Sequence, residues 1–492
     1  MKHPDHLPED HHCPWREEAE ALREDLDCVA SKLGKVETEL EILKRHVFGR
    51  KSEKMPSVKQ QLRVGEGRNS PAATAKRRER AAEKAQLPEQ LIHHRVPEAE
   101  RHCPKCGRTT LRPLGDGKVT TVIEYVPSQL VQQVHVQETL SCRCGEGIVT
   151  AAAPAKVVDK GQYGPGFIAH AVVAKCADSV PLYRLEKIYG RHGASIARST
   201  LIGLFHAAAE LLHPVARRLL EKVAEAELVN ADETPLQVQA PGQTRRGYLW
   251  TFVADRNIAY KFSPSRSGQT PSAVLGATTG ALVVDGYTGY NEVTQPGGRE
   301  RIGCWAHVRR KIFDARDTAP AEAQVGLGLI AELYRVEHDA LAAGLTRTDA
   351  HGGIRRTRSA AVVAALIDWL VETSLRHGPK SRLGGAVRYA GRQWVALTRF
   401  LADPALPLDN NVAERALRVA ALGRKNFLFV GSDEGGENLA CLYTLVATCE
   451  ANRINPFRYL RDLLIRIQTH PQSQLDDLLP QRWVELFGSD SS

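Results

Sequence analysis

No run of about 18 consecutive apolar residues occurs in the 492-residue chain, so no transmembrane helix is expected. The opening segment, Met1 to Trp15, is polar and carries acids. It lacks the apolar stretch of a secretory signal, and a cytoplasmic protein is expected. Ten cysteines over this length do not make a disulfide framework. Six of them (Cys13, Cys28, Cys176, Cys304, Cys441, Cys449) are scattered and expected to be reduced. Net charge is also scarce over most of the chain. The formal total is +9, but Arg50 to Lys84 holds 11 Lys/Arg against 4 Asp/Glu, leaving the remainder near +2. A short basic tether on a nearly balanced body suits an electrostatic grip on a polyanion; a solvated linker is the plainer reading.

The chain is too long for one ordinary core, and three or more modules are expected. Residues 15–47 carry apolar side chains at alternating spacings of four and three, from Trp15 through Leu22, Leu26, Leu33 and Leu40 to Val47. That is a heptad seam, and so narrow a stripe needs a partner helix, so self-association through a coiled coil is expected. Residues 50–90 lack apolar periodicity and include Lys76, Arg77 and Arg78, which reads as a flexible basic linker.

Two cysteine pairs follow, Cys103-Pro-Lys-Cys106-Gly107 and Cys142-Arg-Cys144-Gly145. Paired thiolates on tight turns are what a tetrahedral structural Zn²⁺ requires. The second pair is one residue shorter than usual, and His102 or His135 could replace one sulfur. Beyond it, Val180 to Tyr189 fits one helix, Arg191 to Ala194 a turn with Gly193 suited to positive φ, and Ser195 the N-cap of a second helix. That is the helix-turn-helix pattern, with Arg198, Ser199 and Thr200 placed to meet DNA.

Three carboxylates, far apart in sequence, stand where a two-metal nuclease needs them. Asp232 and Asp285 each follow a β-prone run, and Glu414 lies in a helical segment. Strands are predicted over 227–231, 235–239, 247–253, 258–262 and 281–284, with a helix over 269–275. Three antiparallel strands, a helix and a parallel strand open an RNase H-like domain, in which the first and fourth strands are neighbours. The 53 residues from Asp232 to Asp285 suit that layout. The 129 residues from Asp285 to Glu414 are too many for a short crossing, so a helical insertion is predicted. Pro404 and Pro407 end it, and Asp409-Asn-Asn caps the helix carrying Glu414. Glu233 should point away from Asp232, because side chains alternate along a strand.

The chain resembles the insertion-sequence-66 family of DDE transposases over most of its length. The resemblance rests on Phe48-Gly-Arg-Lys-Ser-Glu-Lys, Cys103-Pro-Lys-Cys106-Gly, Pro181-Leu-Tyr-Arg, Ala231-Asp-Glu-Thr and Asp285-Gly-Tyr. It continues in Cys304-Trp-Ala-His-Val-Arg-Arg-Lys, Asp409-Asn-Asn-Val-Ala-Glu-Arg-Ala-Leu-Arg and Gly423-Arg-Lys-Asn-Phe-Leu-Phe-Val-Gly-Ser. The family usually has Cys-x-x-Cys at the second pair, so Cys142-Arg-Cys144 is a departure. The implied organisation is a multidomain α/β protein: a leucine zipper (1–49), a basic linker (50–95) and a zinc-binding β segment (96–160). A helix-turn-helix-like region (161–225) follows. The RNase H-like core (226–305) is then interrupted by a helical insertion (306–405). A core helix with the catalytic Glu (406–435) and a C-terminal helical tail (436–492) complete it.

The resemblance implies Asp232, Asp285 and Glu414 as the catalytic triad, holding two Mg²⁺ or Mn²⁺ ions, with Asp232 bridging. They would cut transposon ends and transfer the 3′ strand into target DNA. His307, Arg309, Arg310 and Lys311 are expected near the scissile phosphate, and Arg415, Arg418, Arg424 and Lys425 on backbone phosphates. Trp305 is expected in the core rather than stacked on a flipped base. The expected partners are the terminal repeats, target DNA, a second copy of the chain and small accessory proteins of the same element; no membrane is expected, and location is with the nucleoid. Alternatives are a catalytically inactive DNA-binding regulator and a nuclease that cuts without strand transfer.

Overall fold

The computed structural model describes Arg78 and residues 130–141, 148–151, 156–158 and 161–488. The chain divides into two units, Met1–His93 and His94–Ser492. In the first, only Arg78 is described, and it is helical and exposed. The heptad seam, Lys76, Arg77 and the four paired cysteines lie outside the described residues.

In the second unit, a two-stranded ribbon pairs β1 (Thr139–Ser141) with β2 (Ile148–Thr150) in antiparallel register. Three helices follow: α1 (Pro165–Cys176), α2 (Leu182–Arg191) and α3 (Arg198–Glu225). Gly193 makes the turn after α2 at φ +83°, as its sequence context predicts. The next helix starts later than expected. Its N-cap is Ala197, with no side-chain bond, so Ser195 stands outside it. The hydroxyl cap is not needed, because α3 runs 28 residues and is held by tertiary packing. Arg198 and Ser199 are exposed in its first turn, and Thr200 is half-buried.

A five-stranded sheet has the order β5-β4-β3-β6-β7. Strands β3 (Leu228–Ala240), β4 (Gln243–Ala254) and β5 (Asn257–Ser263) form an antiparallel meander. The expected break between residues 231 and 235 does not occur. Pro235 is exposed and lies within one continuous strand, opposite Tyr248. Helix α4 (Gln269–Leu275) has the predicted bounds. Strand β6 (Ala281–Val283) then lies parallel to β3, and β7 (Glu300–Ile302), which the sequence did not announce, lies parallel to β6.

Buried Arg299 fixes this edge to the helix layer. Its guanidinium donates to the carbonyls of Ala224, Ala226 (2.9 Å) and Ala281 (3.1 Å), joining the end of α3 to the start of β6. A charge so placed is tolerated because each guanidinium nitrogen has an oxygen to meet, Nε donating to the Thr278 hydroxyl at 2.9 Å.

A helical block comes next: α5 (Trp305–Asp314), α6 (Pro320–Ala342), α7 (Asp349–Ile354), α8 (Ala360–Arg376), α9 (Arg382–Arg392) and α10 (Trp394–Thr398). Its core includes Ile312, Ile330, Leu366 and Leu397 and is continuous with Val283 and Ile302 of the sheet. Arg355 is 1% exposed at the start of a π-helical turn, Arg355–Ser359. It grips Glu337 with two bonds of 2.8 and 2.7 Å and donates to the carbonyls of Phe400 and Asp403. That bidentate pair draws the end of the block back onto α6.

The chain returns to the sheet as α11 (Asn411–Phe427), which packs on β3 and β4. Leu428 follows at φ +60°, ψ −48°, with Phe429 N–H donating to Phe427 O. Val430 then pairs with β3 through Gln237 and Gln239. Helix α12 (Asp433–Ala451) is buried against β5 and α3, and α13 (Pro456–Arg466) and α14 (Pro480–Phe487) complete that side. The described residues are therefore a mixed five-stranded sheet with 14 α-helices. Among them, no helix is long and apolar enough to cross a membrane.

Candidate active site

The register of β3 and β6 brings two of the predicted carboxylates to one edge. The last rung of their parallel ladder pairs Asn230 with Val283. Asp232 lies two residues beyond it within β3, and Asp285 two residues beyond it, just past the end of β6. Asp232 Oδ1 accepts the Glu233 N–H at 2.9 Å, and Asp285 Oδ1 accepts the Tyr287 N–H at 2.8 Å. The second bond is an Asx-turn that bends the chain away from the strand end.

Glu414 reaches the same place through a buried amide. Asn410, the N-cap of α11, is 0% exposed. Its Nδ2 donates to Ala231 O at 2.7 Å, and its Oδ1 accepts from Asn230 Nδ2 at 3.0 Å. Asn410 therefore grips the backbone next to Asp232, while Glu414 stands one helical turn further on, its N–H donating to Asn410 O. Within the predicted Asp409-Asn-Asn cap, Asp409 supplies the side-chain bond, its Oδ1 accepting the Asn411 N–H at 3.0 Å. Asp409 Oδ2 also accepts from the Tyr334 hydroxyl at 2.8 Å, which ties the cap to α6.

Helix α5 begins at the same point. Trp305 N–H donates to Leu408 O at 3.0 Å, and Asn410 N–H donates to Cys304 Sγ at 3.2 Å. Two helix N-termini are thus laced together beside the carboxylates. Their aligned peptide dipoles favour an anion, such as a phosphate, at that place.

Crowding shows in the electrostatics. The Asp232 carboxyl is pushed up to about 7, first by burial and then by the charges of Glu233, Asp285 and Glu414; the Glu233 N–H opposes the shift. Glu233 takes no part as a donor to the centre. Its side chain is 2% exposed, and its oxygens accept from Arg266 Nε at 2.8 Å and the Tyr290 hydroxyl at 2.7 Å. Asp285 is framed by Arg301, which donates to the Asp285 and Tyr287 carbonyls at 3.1 and 2.6 Å. Tyr389, from α9, accepts the Gly286 N–H at 3.0 Å. A Cβ at position 286 would lie 2.5 Å from the Tyr389 ring, so only glycine permits this approach.

The structure sorts the remaining predicted residues. Trp305 is in the core, 1% exposed, with its indole N–H donating to Leu397 O at 2.9 Å. Arg309 is 4% exposed and faces the helical block. That burial, which lowers its guanidinium below the usual value, removes it from the groups able to meet a phosphate from outside. Its neighbours Arg310 and Lys311 are exposed, and Lys311 lies 4.7 Å over the Tyr389 ring. Arg415, Arg418 and Lys425 are exposed along one face of α11, at helical spacing. Arg424 is committed to β3, donating to Thr234 Oγ1 at 3.0 Å and Pro235 O at 2.5 Å. Sequence reasoning missed Asn230, Tyr389 and the positioning role of Asn410. Asn410 stood in a quoted motif, but nothing local showed where its amide points.

Known families and proteins match the chain along most of its length. The sequence profile of the family described as "Transposase IS66 family" matches residues 160–438. The "IS66 C-terminal element" matches residues 444–481, and the "zinc-finger binding domain of transposase IS66" matches residues 100–145. Similar proteins occur in Sinorhizobium fredii (strain NBRC 101917 / NGR234). Uncharacterized protein y4qI is 34% identical over 379 residues, 73% of this chain and 70% of its own length. Uncharacterized protein y4jD is 30% identical over 501 residues, 94% of this chain and 97% of its own length.

Proposed function

The chain belongs to the IS66 family of transposases, and on that premise we propose that Asp232, Asp285 and Glu414 are the catalytic carboxylates of an insertion-sequence transposase. The family assignment carries DNA as the partner, a DNA-cleaving activity in general terms and a zinc-finger segment. The approach of Asp232 within β3, Asp285 just past β6 and Glu414 on α11, with Asn410 tying α11 to β3, carries the finer reading.

The donor set fits divalent cations. The Asp232 carboxyl feels the charges of Asp285 and Glu414, Glu233 is held by Arg266 and Tyr290, and hard oxygen donors suit Mg²⁺ or Mn²⁺. Asp232 would bridge two such ions, with Asp285 and Glu414 each holding one. When bound, the pair supplies Lewis acidity at the attacking and leaving oxygens of an in-line displacement at phosphorus. The N-termini of α5 and α11 orient the phosphate, and the exposed Arg415, Arg418 and Lys425 lead the DNA backbone away along α11. The reaction proposed is cleavage at the transposon end, followed by attack of the freed 3′-hydroxyl on target DNA.

The sheet order and the helical block between β7 and α11 support an RNase H-like core with a helical insertion. Cys103, Cys106, Cys142 and Cys144 are proposed as the zinc ligands of the zinc-finger segment. Lys76, Arg77 and Arg78 are proposed to hold DNA through the basic linker, and Arg198, Ser199 and Thr200 through the start of α3. The heptad seam is proposed to pair two copies of the chain, and the accessory proteins of the element to act with them.

The test is cleavage and strand transfer on DNA carrying the element's ends, with Mg²⁺ or Mn²⁺, comparing the wild type with Asp285→Ala. Loss of products with DNA binding retained is the expected result. Equal products from both proteins would remove Asp285 from the chemistry.

A further inference from the structure

The imidazole of His307 has no role in the three-carboxylate scheme, yet it faces that centre. Cys304 is the N-cap of α5 and His307 lies three residues on, so the two share one face of the first turn. A donor atom of His307, one of Glu414 and the sulfur of Cys304 all lie within 4.8 Å of one another. His307 Nδ1 is buried and makes no hydrogen bond among the described residues. It stands 3.7 Å from Glu414 Oε1, too far for a hydrogen bond.

A buried ring nitrogen without a partner is costly, and side chains placed this way usually await a proton donor or a cation. Two donors each about 2.1 Å from one ion are at most about 4.2 Å apart, so the spacing to Glu414 suits a shared cation. Cys304 is a poor third donor to a hard ion. Its sulfur already accepts the Asn410 N–H at 3.2 Å, which locks the two helix starts together.

We propose that His307 Nδ1 is a ligand, with Glu414, to one of the two divalent cations, making that position a mixed nitrogen–oxygen site. The other position, on the Asp232–Asp285 side, is built from oxygen alone. This inference rests on the carboxylate reading above and adds to it an asymmetry: the Glu414 position prefers Mn²⁺ to Mg²⁺, because imidazole nitrogen suits the transition ion better.

The experiment is Mn²⁺ binding to the full-length protein, counted by electron paramagnetic resonance, with pulsed measurements reading ¹⁴N coupling from a coordinated imidazole. The variants are His307→Ala, His307→Asp and Asp285→Ala. The expected result is ¹⁴N coupling in the wild type that vanishes in His307→Ala together with one Mn²⁺ equivalent. His307→Asp, which offers an oxygen donor, restores the equivalent without the coupling. Two Mn²⁺ bound without ¹⁴N coupling, or with coupling that survives His307→Ala, would overturn the inference and leave the carboxylate reading standing. Mn²⁺ binding that Asp285→Ala leaves unchanged would overturn both.

Discussion

Asn410→Ala is the sharpest perturbation the structure offers, because one buried amide ties the start of α11 to β3 beside Asp232. The change removes the 2.7 Å bond to Ala231 O and the 3.0 Å bond from Asn230 Nδ2, at positions 0% and 6% exposed. Each lost bond costs about 1 kcal/mol net, and the orphaned Asn230 Nδ2 adds about 1–3 kcal/mol. The total is about 3–5 kcal/mol. Asn230→Ala leaves the Ala231 bond intact and should cost about 1–3 kcal/mol. Both substitutions remove the same inter-amide bond, so the double variant should cost less than the sum by about 1 kcal/mol or more. Urea unfolding followed by tryptophan fluorescence reads these differences as midpoint shifts. Five of the six tryptophans (Trp250, Trp305, Trp369, Trp394, Trp483) lie in the described unit. DNA cleavage should fall further than stability does, since Glu414 loses its register with Asp232. Additive costs, or an Asn410→Ala change below about 0.5 kcal/mol, would refute the reasoning.

Three further outcomes follow from the same geometry. Asp232 holds its proton in the folded chain up to about pH 7, whereas the unfolded chain releases it near the ordinary carboxylate value of about 4. The folded state therefore binds more protons between those values, and stability without added divalent ions should fall as pH rises through that window. Asp232→Asn should flatten the fall in thermal melts at pH 5 and pH 8; an unchanged slope would mean the burial is misjudged. Gly286→Ala drives a Cβ to 2.5 Å from the Tyr389 ring and should cost about 1–3 kcal/mol, with much of the loss recovered when Tyr389→Ala is added. No recovery in the double variant would place the damage elsewhere. Leu428 is 63% exposed and held in a positive-φ γ-turn, so Leu428→Gly should raise the urea midpoint, by up to about 1 kcal/mol in stability. A lower midpoint would show that the leucine side chain contributes more than its backbone strain costs.

How much of this was legible in the sequence follows from the range of the signals. Local patterns were sufficient for α4, whose bounds match, and for the apolar runs that become β3 and β6. Asp232 and Asp285 were legible because each follows such a run, although the strand carrying Asp232 continues beyond it. Strand β7 is three residues long and gives no period to detect. The strand break expected near Pro235 failed because tertiary pairing with β4 overrode the local breaker at an exposed position. Arg309 looked like its exposed neighbour Arg310; only the helix phase against α6 and α9 separates them. Tyr389 lies 103 residues from the Gly286 N–H it accepts, and Asn410 lies 180 residues from its partner Asn230. Contacts of that span are made by the fold and leave no local trace.

The 28-residue helix α3 also acts as a measuring rod. At 1.5 Å per residue it is about 42 Å long, comparable to about 12 base pairs of duplex. Its first turn exposes Arg198, and its last carbonyls are pinned by Arg299 to the strand that leads to Asp285. A helix packed along its length shortens only by breaking. Were DNA gripped at the first end, as proposed for Arg198, it would be presented to the carboxylates at a set distance, and shifting the bound sequence by half a helical turn would turn the wrong face of the duplex toward them.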